Sequence, residues 1–84
     1  MQEIRTIISG KRHVFLCELR DANESTYEIV DNEGKPAPQS ISIKINKTIK
    51  IMGFSGIKIV GNEVFSFEPI GGESHFLGHL DPGK

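Results

Sequence analysis

The chain has 84 residues, 37% hydrophobic and 25% charged, a globular mix with room for one small core. Ten basic against eleven acidic side chains leave a net charge of −1, so no long-range field draws the whole molecule to nucleic acid or to an anionic membrane. A single cysteine, Cys17, excludes an internal disulfide and a cysteine-based zinc site, and no apolar run approaches the roughly 20 residues of a membrane span.

The first element reads as a helix. In "QEIRTIIS" the residues Ile4, Ile7 and Ile8 recur at the i, i+3, i+4 spacing of one apolar helical stripe, which predicts a helix over about residues 2–10. Gly10 would end it, and Lys11 and Arg12 suit its negative C-terminal end. Two or three turns are marginal alone in water, so the stripe must dock on the rest of the domain.

From His13 the period changes to two. "HVFLCELR" predicts a strand with Val14 and Leu16 on one face and Phe15, Cys17 and Leu19 on the other, which buries Cys17 as an inert thiol. "DANES" is a turn and "TYEIV" a returning strand, and "DNEGKPAPQS" is a loop broken by Gly34, Pro36 and Pro38. In "ISIKINKTIKIMGFSGIKIVG" three short strands are expected, with Ile41, Ile43, Ile45, Ile49, Ile51, Ile57 and Ile59 inside. Lys44, Lys50 and Lys58 then fall outside, with Lys47 in a turn.

"GN" at 61–62 is a tight-turn signal leading into "EVFSF", where Phe65 and Phe67 are expected in the core. "PIGG" turns the chain, and "SHFLGHL" supplies a last strand with Phe76 and Leu80 on one side. The fold class expected is α+β, a single domain over 1–84. Its short helix would pack on an antiparallel sheet, or a two-sheet sandwich, of six or seven strands across about 13–80.

Little in the sequence points to catalysis. His75 and His79 are four apart, but four residues of strand span roughly 13 Å, too far for two ligands of one ion. "GFSGI" around Ser55 lacks nucleophile-elbow spacing, and Glu63, Glu68 and Glu73 flank turns. No catalytic, cofactor-binding or metal site is expected, and the chain reads as non-enzymatic. The lysines are the one chemical pattern left. If their strands are neighbours, Lys44, Lys50 and Lys58 form a basic face, which binds single-stranded nucleic acid when aromatics interleave. With Phe65 and Phe67 assigned to the core, a solvated face is the plainer account.

Taken in order, "IRTIISGKRHVFLCELRDANESTYEIVDNEGK" resembles the soluble start of minor type IV pilins and type II secretion pseudopilins of the GspH/FimT kind. The closing "NEVFSFEPIGGESHFLGHLDPGK" is similar to that family's terminal hairpin, through Phe65, Phe67, Pro69 and Gly71. The resemblance implies a structural subunit of a pilus or secretion filament whose partners are other pilin or pseudopilin subunits. It implies that residues 2–10 end a longer helix, the apolar part of which anchors the precursor in the inner membrane. Ile4, Ile7 and Ile8 would then bind the helix to its sheet, with the globular domain, monomeric by itself, outside the cytoplasm. No arginine follows Arg20, which departs from the basic C-terminal motif of DNA-binding members.

A second reading comes from another class. Short Ile/Lys strands also suit a small cytosolic β-barrel, SH3-like or OB-like, using the lysine face on single-stranded nucleic acid.

Overall fold

The computed structural model describes residues 1–68 and 74–83. Eight strands follow in chain order: β1 (Gln2–Ile8), β2 (Lys11–Asp21), β3 (Thr26–Ile29), β4 (Gln39–Ile45), β5 (Thr48–Phe54), β6 (Gly56–Val60), β7 (Glu63–Phe67) and β8 (Phe76–Leu80). Six close into a barrel in the order β1-β2-β3-β6-β7-β8, every pairing antiparallel. The other two form a separate ribbon inserted between β3 and β6.

There is no helix among the described residues, which corrects the expected α+β class. The segment assigned to a helix is β1. Four of the six residues from Glu3 to Ile8 are β-branched, and they alternate: Ile4, Thr6 and Ile8 are buried, whereas Glu3 and Arg5 are exposed and Ile7 is half-buried. Ile4 and Ile8, four apart, fit a strand as well as a helix. Only Ile7 separates the two periods, and it points away from the core. Ser9 and Gly10, both at positive φ (52° and 76°), close a two-residue hairpin whose flanking pair is Ile8 with Lys11. Positive φ at both central positions is the type I′ geometry that matches strand twist. Gly10 is therefore a hairpin residue, not a helix cap.

An all-β closed barrel also overturns the resemblance to minor pilins and pseudopilins, whose fold begins with a helix. The filament-subunit reading loses the helix through which it would assemble. The small barrel is the architecture of the second reading. No helix among the described residues is long and apolar enough to cross a membrane.

The core sits inside the barrel. Ile4, Ile8, Phe15, Cys17, Ile29, Phe54, Ile57, Val64 and Leu77 form one buried cluster. Phe15 and Phe54 meet edge to face, ring centroids 5.8 Å apart, which ties the barrel wall to the base of the ribbon. Ile41, Ile43 and Met52 rest one face of the ribbon against this cluster. At the joint between β5 and β6, Ser55 donates its backbone N–H and its hydroxyl to the two carboxylate oxygens of Glu68, at 3.0 and 2.9 Å. Two buried hydroxyls are matched, since Thr6 Oγ1 donates to the His13 carbonyl at 2.8 Å and Ser66 Oγ accepts the His75 N–H at 3.0 Å, whereas the buried Thr26 Oγ1 has no hydrogen-bond partner among the described residues.

Cys17 is fully buried between Phe15 and Leu19 on β2, and burial pushes its thiol up to about 11 from an ordinary value near 9.0. Below about pH 9 the thiol is protonated in both the folded and the unfolded chain. Between about 9 and 11 the unfolded chain ionises while the folded one does not, so stability should fall by about 2–3 kcal/mol across that window. Urea melts at stepped alkaline pH check this: Cys17→Ala should lack the decline, and an equal slope in that variant would refute it.

Candidate binding surfaces

The three lysines proposed as one face are not brought together. β4 and β5 are joined by Asn46 and Lys47, both at positive φ (50° and 67°), another two-residue turn. That turn fixes the register: Ile43 lies opposite Lys50, and Lys44 opposite Ile49. Directly opposed residues share a face. Lys50 therefore stands on the side of Ile41, Ile43 and Met52, and Lys44 on the side of Ile49 and Ile51. The two isoleucines expected inside are 70% and 78% exposed. Lys58 is elsewhere, half-buried on the outer wall of the barrel in β6.

What the ribbon does have is charge of one sign. From Gly34 to Asn62 the chain carries five lysines and no acidic residue, a net +5; the rest carries five basic and eleven acidic residues, a net −6. The overall −1 hides a basic ribbon on an acidic barrel. Lys44, Lys47 and Lys50 are exposed, and none has an ion-pair partner among the described residues.

A second surface lies on the outer wall of β6, β7 and β8. Gly61, at φ 62°, and Asn62 make the expected two-residue turn, which pairs Val60 with Glu63. Ile57 and Ile59 point inward, so their partners Ser66 and Val64 do as well. Phe65 and Phe67 therefore face outward, half-buried, and are not core residues. A register shift between Val64 and Phe65 turns Phe76 outward as well, 54% exposed, away from the side of Leu80.

The rings of Phe65 and Phe76 meet edge to face, centroids 5.7 Å apart. Lys58 lies directly across the ladder from Phe65, and a shallow depression of about 210 Å³ opens among Lys58, Val60, Phe65 and Ser74. Arg20 reaches over the Phe67 ring, its guanidinium carbon 5.8 Å from the centroid. Gly56, opposite Phe67, puts no side chain in the way. Of this group the sequence singles out Lys58 for a nucleic-acid face and Phe65 and Phe67 for a closing hairpin; it does not single out Phe76 or Arg20 as site residues. Pro69 and Gly71, named with Phe65 and Phe67 in the closing hairpin, lie outside the described residues.

A larger cleft of about 330 Å³ separates the β1–β2 turn from β4, lined by Ile8, Ser9, Lys11, His13, Ser40, Ile41 and Ser42. No carboxylate in that lining could orient His13 as a base. His75 and His79 are exposed, and no group of three or more His, Cys, Asp or Glu among the described residues is placed to hold a metal ion.

Comparison of the chain with protein-family models, with curated proteins and with solved structures finds no match.

Proposed function

We propose that this chain is a non-catalytic β-barrel binding module that takes single-stranded nucleic acid on the outer wall of β6–β8. The observation that carries the reading is the outward placement of Phe65 and Phe76 beside Lys58. Bases stack on exposed aromatic faces with little regard to sequence, while an adjacent cation meets the phosphate. Phe76 offers the most open ring, Lys58 the phosphate contact, and Arg20 holds Phe67 at the margin of the platform.

With two cations at the site and an acidic barrel around it, binding should be modest and only mildly salt-dependent. A log–log slope of about −1.4 is expected, two phosphates at roughly −0.7 each. Anisotropy of a labelled oligothymidylate tests this. Phe76→Ala should weaken binding about tenfold, since stacking contributes about 1–3 kcal/mol per base. Lys58→Glu should do the same, and Lys44→Glu should leave the affinity within about twofold, as surface changes away from a contact do. Undetectable binding of the wild type at low salt would overturn the reading. So would a loss caused by Lys44→Glu with Phe76→Ala unaffected, because the site would then be the ribbon.

A further inference from the structure

We infer that the β4–β5 ribbon docks on the acidic face of a second copy of this chain. The inference uses residues apart from the aromatic wall and does not depend on the nucleic-acid reading.

Among the described residues β4 and β5 pair only with each other, so both outer edges of the ribbon are open. A lone two-stranded ribbon is marginal by itself. One face is held by the barrel core through Ile41, Ile43 and Met52. The other presents Ile49 and Ile51 almost wholly to solvent, the most exposed large apolar side chains among the described residues. Such a ribbon invites pairing or packing with another chain.

Charge selects the partner. Two ribbons packed on their isoleucine faces would set Lys44, and Lys47 in the turn, against their own copies, so a symmetric ribbon-to-ribbon contact is disfavoured. The complement is on the barrel. On its outer wall Glu18 of β2 lies directly opposite Glu28 of β3, a like-charged cross-strand pair that weakens the sheet unless a cation joins it. The Met1 ammonium, 3.4 Å from Glu18, offsets one of the two charges, and no ion pair among the described residues reaches Glu28. Val14, 55% exposed on the same wall of β2, supplies an apolar neighbour for Ile49 and Ile51. Ribbon on wall is a heterologous contact, so a pair of copies retains one free ribbon and one free wall, and assembly proceeds head to tail.

Sedimentation equilibrium tests this. At about 20 mM salt the average mass of the wild type should rise with concentration, and at about 0.5 M salt it should fall to the monomer as screening removes the attraction. The triple variant Lys44→Glu, Lys47→Glu, Lys50→Glu and the double variant Glu18→Lys, Glu28→Lys should each lose at least about tenfold in association constant, at the level of desolvated charge pairs. Mixed in equal amounts, the two should associate again, because ribbon and wall of opposite charge then meet only between unlike chains, which also shows that both fold. A wild type that stays monomeric at low salt up to about millimolar concentration, far above the Kd of a specific interface, overturns the inference. Association that persists in the Glu18→Lys, Glu28→Lys variant overturns it too. So does a wild type that is monomeric but pellets with phosphatidylserine vesicles, which would make a membrane the ribbon's partner.

Discussion

Gly78→Ala is expected to remove most of the stability of the folded chain, although it adds one methyl group to a buried position. Gly78 lies opposite Ile8 of β1 on one side and Val64 of β7 on the other, where the last strand closes the barrel. A Cβ built there would fall deep inside the contact distance of the Ile7 carbonyl oxygen and 3.1 Å from the Ile8 Cα. Both obstacles are backbone, so no side chain can swing aside. β1 would have to move away from β8. The seam between these strands consists of three residue pairs, Thr6 with Leu80, Ile7 with His79 and Ile8 with Gly78, so a shift at one pair disturbs the whole closure. Overpacking of this kind costs about 1–3 kcal/mol or more where the lattice cannot yield. Opening the seam would add the loss of burial around Ile8 and Val64. Against a total of roughly 4–12 kcal/mol for a chain this size, that leaves the variant mostly unfolded or melting far below the wild type. A urea melt reads it directly: a midpoint within error of the wild type would show that the barrel is not closed through Gly78.

Much of this fold was legible, and what failed did so for identifiable reasons. The alternation in β2, the turn at Asp21–Ser25, the broken loop after Val30 and the Gly61–Asn62 turn all stand where the sequence puts them. The errors came from judging each strand by its own apolar content. A two-residue turn fixes which residues oppose each other, and opposed residues share a face. Carried across Asn46 and Lys47, that rule sets Ile43 beside Lys50 and so turns Ile49 and Ile51 outward. Carried across Gly61 and Asn62, it sets Ile59 beside Val64 and Ile57 beside Ser66, which turns Phe65 and Phe67 outward. In both places the larger apolar residues were assigned to the core, although a small barrel interior is filled by Val64 and Ser66 and has no room for two more rings. Register was readable there. The shift between Val64 and Phe65 has one signal, Gly78 isolated inside "SHFLGHL", which marks a bulge or a close backbone approach without saying which way Phe76 turns, and so the orientation of Phe76 had to come from the structure. The closing contact of β8 with β1 joins residues about 70 positions apart, beyond the reach of local pattern.

Ile7 and Ile8 decide between the helical and the extended reading of the first segment by experiment. On one helical stripe the two would be buried alike, and substituting either would cost about the same. On β1 they point to opposite sides: Ile8 is 2% exposed inside the barrel, whereas Ile7 lies half-buried on the outer wall between Arg12 and His79. Threonine is the informative replacement, since it keeps the β-branched shape that suits a strand while introducing a hydroxyl. At position 8 it removes apolar volume at about 0.8 kcal/mol per methylene and buries a new polar group. Left unpaired, that hydroxyl costs a further ~1–3 kcal/mol. Ile8→Thr should therefore destabilise by about 3–4 kcal/mol in all, within the range of damaging core changes. At position 7 the hydroxyl reaches water and the lost contact is partial, so Ile7→Thr should cost less than about 1 kcal/mol. Parallel urea melts compare the midpoints at a common slope. Equal losses in the two variants would contradict the strand, and with it the barrel seam on which the rest of the fold depends.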